Sequence, residues 1–92
     1  MVKTMYEVKI MKSAQKDKEK IKKTPALRRK SEQLIEIIEA NPFQNPPPYE
    51  KLSGNLNGLY TRRINIQHRL VYRVLEEEKI IIIISMWNHY EF

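Results

Sequence analysis

The side chains best suited to catalysis lie in the second half of the chain. Glu50 sits in a proline-rich stretch, Arg63 and Arg69 follow in alternating segments, and His89 lies close to the last residue. A carboxylate or imidazole can take the proton from a ribose 2′-hydroxyl, and a second such group can protonate the departing 5′-oxygen. Guanidinium groups neutralise the charge that grows on the phosphoryl oxygens. Together these residues are the minimum set for cleaving RNA without a metal.

Each of these four residues also has an ordinary explanation. Glu50 could be a solvated loop residue, and Arg63 and Arg69 could be exposed strand residues. His89 could be a terminal residue with no role. Residue types and spacing alone leave both interpretations open.

The rest of the inventory argues against other kinds of active site. The chain has no cysteine, and its histidines are His68 and His89. No thiol nucleophile or zinc–thiolate centre is therefore available, and no cluster supplies the three or four ligands of a metal site. No aspartate follows Asp17, and no serine lies in a nucleophile-elbow context, which argues against a Ser-His-Asp triad. We expect neither a metal nor a cofactor.

Length and charge predict one small basic domain spanning residues 1–92. The chain carries 17 Lys+Arg against 11 Asp+Glu, so its net charge is +6, and its pI is about 9.7. Such a balance in so short a chain is typical of nucleic-acid-binding domains. No apolar run approaches the ~20 residues of a membrane helix, and the N-terminus lacks a signal-peptide core. We expect a soluble cytoplasmic protein that makes no membrane contact.

Positive charge is concentrated between Lys16 and Lys30, with eight Lys/Arg against two acids. One interpretation is a solvated helical surface. The other is a face that contacts phosphates without reading sequence, with Lys18, Lys22 and Arg29 as candidate contacts.

Hydrophobic periodicity predicts two helices after a first strand. Loose alternation in residues 5–11 predicts the strand, and a helix should follow to about Lys23. Thr24-Pro25 predicts the start of a second helix, with the Thr24 side chain as cap and Pro25 at the first helical position. Asn41-Pro42 should end it.

Three strands should follow, over residues 59–65, 68–75 and 79–87. Their short connections predict an antiparallel meander, and the last is apolar on both faces, as in a central strand covered on both sides. In the first, Tyr60, Arg62 and Ile64 share one face and Arg63 lies on the other. The fold class is therefore α+β, with two helices packed on a mainly antiparallel twisted sheet.

Several short motifs, in this order and spacing, resemble one bacterial family. They are Asn41-Pro42-Phe43, residues 49–52 (YEKL), residues 58–64 (GLYTRRI), residues 68–72 (HRLVY) and His89-Tyr90. The combination resembles the Txe/YoeB toxins of type II toxin–antitoxin modules, in the RelE superfamily. The resemblance is close over residues 41–92 and extends only to the layout over residues 1–40.

The resemblance implies a microbial-ribonuclease-like fold, β-α-α-β-β-β, and an endoribonuclease that cleaves messenger RNA in the ribosomal A site. By position it makes Glu50 the general base, Arg69 the phosphate-binding arginine and His89 the general acid. Tyr90 lies beside that acid, and Arg63 matches a further active-site position. The product would be a 2′,3′-cyclic phosphate or its hydrolysed form.

One departure from the family pattern concerns phosphate binding. The family often has a lysine three residues after the base, where this chain has Ser53. Either Lys51 supplies that cation from a different place, or the phosphate is held by one cation fewer.

The resemblance also implies partners. These are an acidic, partly disordered antitoxin of the YefM/Axe kind, the ribosome with its messenger RNA, and operator DNA reached only through the antitoxin. Lys18, Lys22 and Arg29 then become candidate ribosome contacts, and homodimerisation stays open.

Two other functions remain alternatives. One is a non-catalytic basic module that binds RNA or the ribosome and blocks translation sterically. The other is a protein whose main task is to bind its antitoxin as a co-repressor. Neither needs Glu50 or His89, so substitutions at these positions separate the alternatives from catalysis.

Overall fold

Two helices pack against one sheet, in the predicted α+β arrangement. The computed structural model describes residues 5–54 and 58–87. Its elements in chain order are β1 (Glu7–Ile10), α1 (Lys12–Lys22), α2 (Pro25–Ala40), β2 (Glu50–Lys51), β3 (Leu59–Arg63), β4 (Arg69–Leu75) and β5 (Ile80–Ser85). The sheet order is β1-β5-β4-β3-β2, with β1 parallel to β5 and every other pair antiparallel. The predicted meander is therefore confirmed as β3-β4-β5.

The ends of α2 follow the local sequence. Pro25 occupies the start of the helix, as predicted, since its missing N–H would have no partner there. Thr24 precedes it in an extended conformation, but its side chain makes no capping bond, so that part of the expectation is wrong. The Thr24 carbonyl instead accepts the first helical bond from the Arg28 N–H at 2.9 Å. The helix ends at Ala40, and the next residue, Asn41, is extended because Pro42 follows it.

The core lies between the helices and one face of the sheet. Burying each of its larger aliphatic side chains contributes about 1.5–3 kcal/mol. Its buried members from the two helices and from β4 and β5 are Ala14, Ile21, Leu27, Leu34, Ile38, Leu70, Tyr72, Ile81 and Ile83. Within the described residues, no helix is both long and apolar enough to cross a bilayer.

β5 lies inside the sheet between β1 and β4, as its apolar sequence predicts. Ile81 and Ile83 are fully buried against the helices, whereas Ile80, Ile82 and Ile84 are only half-buried. The expectation that both faces are fully covered is therefore wrong. The physical reason is that α1 and α2 both pack on the same face of the sheet.

β2 is an additional strand that the sequence pattern does not predict. It consists only of Glu50 and Lys51, which pair with Thr61 and Tyr60 of β3. Two residues after a run of prolines are too few to show strand alternation. They adopt strand geometry because they pair with the edge of β3. It brings the loop acid onto the sheet.

Candidate active site

Three strands bring Glu50, Arg63 and Arg69 to one face of the sheet. Arg63 ends β3 and lies directly opposite Arg69, which begins β4. Glu50 on β2 lies opposite Thr61, two residues before Arg63. Directly opposite residues share a face, and so do residues two apart on one strand. Residues separated by up to 19 positions in the sequence thereby become neighbours.

Arg69 and Glu50 form an ion pair at this face. Arg69 Nη1 donates to Glu50 Oε1 at 3.2 Å, and the side chains are 17% and 69% exposed respectively. Since solvent screens so exposed a carboxylate, the pair contributes only about 0–1 kcal/mol to stability. Its main effect is to orient the two groups, while most of the carboxylate remains accessible to a ligand.

These side chains line a cleft of about 300 Å³. Its lining residues are Pro48, Tyr49, Glu50, Thr61, Arg63 and Arg69. Thr61 is 1% exposed, and its hydroxyl has no hydrogen-bond partner within the described structure. Guanidinium groups suit phosphoryl oxygens, a carboxylate can take a proton, and an aromatic ring can stack on a base. The cleft thus combines the groups that a phosphodiester substrate needs.

Lys51, a further predicted phosphate-binding residue, is not part of this group. Lys51 follows Glu50 on β2 and pairs with Tyr60, so its side chain points to the other face. It does not line the cleft, which favours the interpretation with one cation fewer. The predicted catalytic pair His89 and Tyr90 lies outside the described residues.

The predicted ribosome contacts lie on the helical layer. Lys18 and Lys22 are on α1 and Arg29 is on α2, and all three are exposed. Lys22 Nζ lies 3.5 Å from Glu19 Oε1, an exposed pair one helical turn apart. None of the three lines the cleft, so this face could contribute to binding but not to chemistry.

Arg62 is a residue whose role the sequence analysis missed. It is 1% exposed, and it donates from Nε to Tyr72 Oη at 3.0 Å and from Nη1 to the Pro47 carbonyl at 2.6 Å. Its Nη2 donates to the carbonyls of Pro42 at 3.0 Å and Gln44 at 2.9 Å. The sequence did contain one signal of this burial, because strand alternation places Arg62 on the same core-facing side of β3 as Tyr60 and Ile64.

Tyr72 completes this buried polar cluster. Its Oη accepts from Arg62 and donates to the Pro42 carbonyl at 2.8 Å. Burial raises the pKa of the Tyr72 phenol above its usual 10.0, although the hydrogen bond and positive charge of Arg62 oppose that shift. Tyr72 therefore remains a neutral donor over the physiological pH range.

Solved structures with this architecture define a class of small toxins. The YoeB/ParE toxin from Agrobacterium tumefaciens aligns with a TM-score of 0.84 at 29% identity, over 91% of this chain and 99% of that one. The YoeB chain in the YoeB-YefM complex from Staphylococcus aureus aligns with a TM-score of 0.79 at 31% identity, over 95% of this chain and 100% of that one. These similarities confirm the predicted fold.

The family follows from the sequence comparison. The family of YoeB-like toxins of bacterial type II toxin-antitoxin systems matches residues 9–90, and this chain belongs to it. The Toxin YoeB of Synechocystis sp. is 41% identical over 58 residues, which are 63% of this chain and 65% of that protein. The aligned part thus spans just under two thirds of that relative's length.

Proposed function

We propose that this protein is an endoribonuclease toxin that cleaves messenger RNA in the ribosomal A site and thereby inhibits translation. The observation that best supports the proposal is the placement of Glu50, Arg63 and Arg69 in one cleft, with Arg69 donating to Glu50 at 3.2 Å. A carboxylate beside two guanidinium groups is the arrangement that attack by a 2′-hydroxyl requires. Membership of a toxin family supplies the biological context.

In the proposed reaction, Glu50 takes the proton of a ribose 2′-hydroxyl. The 2′-oxygen then forms a bond to the adjacent phosphorus, and the bond from phosphorus to the 5′-oxygen breaks. Arg69 holds the phosphoryl oxygens and Arg63 adds positive charge beside them, so the negative charge of the transition state is neutralised. The RNA is left with a 2′,3′-cyclic phosphate and a new 5′-hydroxyl.

The family pattern assigns the second proton transfer to His89. In the proposal His89 protonates the departing 5′-oxygen, and Tyr90 lies beside it. Each general acid or base of this kind contributes about 10²–10⁴-fold to the rate. The step is complete with these side chains and needs no cofactor.

An antitoxin partner is the second part of the proposal. The S. aureus relative has been solved as a YoeB-YefM complex and as a YoeB dimer. We infer that this chain likewise binds an acidic antitoxin and reaches operator DNA only through it, and that it can form a dimer. A net charge of +6 accelerates the encounter with an acidic segment. The ribosome as target places the activity in the cytoplasm.

Primer extension on a message translated in a reconstituted system tests the proposed activity. We expect new 5′ ends within codons at the A site, and 2′,3′-cyclic phosphate on the upstream fragments. If translation stops without new 5′ ends, the protein acts as a steric block and the endoribonuclease proposal fails. If translation proceeds uncut, both interpretations fail.

A further inference from the structure

We propose that Arg62 is a positioning residue, whose buried guanidinium fixes the proline-rich segment 42–48 and thereby sets the position of Glu50 in the cleft. This inference rests on the proposed function, because it treats Glu50 as the general base. Arg62 itself faces the core side of β3, opposite Leu70, and not the cleft. Any effect on cleavage must therefore pass through the segment it holds.

The proline-rich segment needs a donor from elsewhere in the molecule. Pro42, Pro46, Pro47 and Pro48 have no N–H, so the segment cannot be held by a regular backbone ladder. Its carbonyls still require partners where water is excluded. Arg62 supplies three bonds to them, to residues 42, 44 and 47, at 2.6–3.0 Å. One planar guanidinium thus gathers three carbonyls that lie 15 to 20 positions away in the sequence.

The charge of Arg62 is compensated by dipoles. Among the described residues, its hydrogen-bond acceptors are three backbone carbonyls and the Tyr72 hydroxyl, and none is a carboxylate. The ring of Tyr49 lies over the guanidinium, with its centroid 5.0 Å from the central carbon. Burying a charge without an acid is costly, and an apolar side chain would fill the same space without that cost. We attribute the presence of arginine at position 62 to the geometry that its guanidinium imposes on segment 42–48.

The anchored segment leads directly to the base. The Pro47 carbonyl that accepts at 2.6 Å is three residues before Glu50. Tyr49, which lies between them, contacts Arg62 on one side and lines the cleft beside Glu50. β2 itself is only two residues long, so its pairing with β3 gives Glu50 little independent support. The position of the carboxylate therefore depends on the anchor that precedes it.

A double-mutant cycle tests this role. Arg62→Lys is made in the wild-type protein and in Glu50→Gln, and single-turnover cleavage is measured at saturating ribosome. Lysine keeps the charge but not the planar fork, so we expect a loss of about 10–100-fold in the wild-type background, where displacement of the base matters. In Glu50→Gln we expect less than about a threefold further loss, because no base remains to be displaced. Arg73→Lys, an exposed arginine on β4, is the matched control and should leave both rates unchanged.

Amide hydrogen exchange supplies a readout that does not depend on activity. In Arg62→Lys, exchange should accelerate at Phe43, Gln44, Tyr49 and Glu50, while amides of β4 keep their protection. Tyr72→Phe, which removes one acceptor of Arg62 and one donor to Pro42, should give a smaller effect of the same pattern. If Arg62→Lys does not fold, the exchange pattern of Tyr72→Phe tests the positioning role instead.

The outcomes separate the two proposals. Equal losses in both backgrounds, or acceleration of exchange throughout the sheet, would mean that Arg62 only stabilises the fold and would overturn the positioning role. If Glu50→Gln alone cleaves at the wild-type rate, the assignment of the base fails, and the role of Arg62 fails with it. A large loss for Arg73→Lys would also overturn the inference, because the effect would then not be specific to the buried guanidinium.

Discussion

At the scale of single residues, the cleft depends on the kind of cation at position 69. Arg69 is mostly buried and donates from one terminal nitrogen to Glu50, and within residues 5–54 and 58–87 its other N–H groups have no side-chain or backbone acceptor, so they can serve a phosphate. A guanidinium can bind two phosphoryl oxygens in parallel, whereas an ammonium acts as a point charge.

We expect Arg69→Ala to reduce cleavage more than Arg69→Lys, and both to be impaired. Lysine restores the charge but neither the two-pronged contact nor the orientation of Glu50. Single-turnover rates at saturating ribosome measure the difference, with Arg73→Lys as the control. A fully active Arg69→Lys protein would show that only the charge matters at this position.

The buried Tyr72 phenol predicts a pH dependence of stability. Its pKa is raised above 10.0 by burial, so the folded state binds this proton more tightly than the unfolded state. This proton therefore adds to the free energy of unfolding in full below the unfolded pKa of 10.0. The added stability is lost as the pH rises through and above that value. Between pH 8 and about pH 11, the wild-type free energy of unfolding should therefore fall more steeply than that of Tyr72→Phe. Urea unfolding at each pH measures the free energy of unfolding of both proteins. If the two free energies fall in parallel with pH, the prediction is contradicted.

The candidate site could be predicted only in part from residue types. Glu50, Arg63 and Arg69 were recognisable because few side chains suit the chemistry, and strand alternation placed both arginines opposite the apolar face. Arg62 was not assigned a role, since three of its acceptors are carbonyls 15 to 20 positions earlier. The direction of a backbone carbonyl cannot be predicted from the pattern of side-chain types.

At the scale of elements, periodicity predicted the helices and the long strands because each buries one face. β2 escaped prediction, since its two residues acquire strand geometry only by pairing with β3. The second face of β5 was misjudged for a related reason. An apolar residue such as Ile82 indicates partial burial but does not indicate whether a helix or solvent lies above it.

A contact between α1 and the end of β5 holds the strand that leads toward His89 and Tyr90. Asp17 Oδ2 accepts from the Met86 N–H at 3.1 Å and from Ser85 Oγ at 3.5 Å. Asp17→Ala should lower the free energy of unfolding by about 1–3 kcal/mol, as expected for hydrogen bonds to a charged group.

Denaturant unfolding, together with amide exchange at Met86, checks this prediction. Glu19→Ala, which removes an exposed acid paired with Lys22, is the control and should cost less than about 1 kcal/mol. If Asp17→Ala is as stable as Glu19→Ala, the contact does not hold the end of β5.

At the scale of the whole molecule, the cleft and the basic segment 16–30 are separate surfaces. The cleft holds the groups suited to chemistry, and the basic segment 16–30 forms exposed parts of both helices. This separation predicts that binding and cleavage respond to different substitutions. Long-range attraction to a ribosome depends on net charge and salt, whereas cleavage depends on the geometry of the cleft.

Reversing Lys18, Lys22 and Arg29 together to glutamate should weaken ribosome binding and make it less sensitive to salt. Cleavage at saturating ribosome should be unchanged. The control reverses the exposed Lys9, Arg73 and Lys79, which gives the same net charge with segment 16–30 intact. The ribosome affinity of each triple variant is measured at two salt concentrations. If the two variants lose affinity equally, net charge alone determines ribosome binding.

The most direct test of the central claim is the single-turnover rate of Glu50→Gln on ribosome-bound message. Glutamine keeps the size and polarity of the side chain but cannot take a proton at neutral pH. We predict a rate about 10²–10⁴-fold below wild type with unchanged ribosome affinity, since no cation is removed. Glu76→Gln, an exposed acid in the turn before β5, should cleave at the wild-type rate. A Glu50→Gln protein that cleaves as fast as Glu76→Gln would contradict the claim that this cleft is the catalytic site.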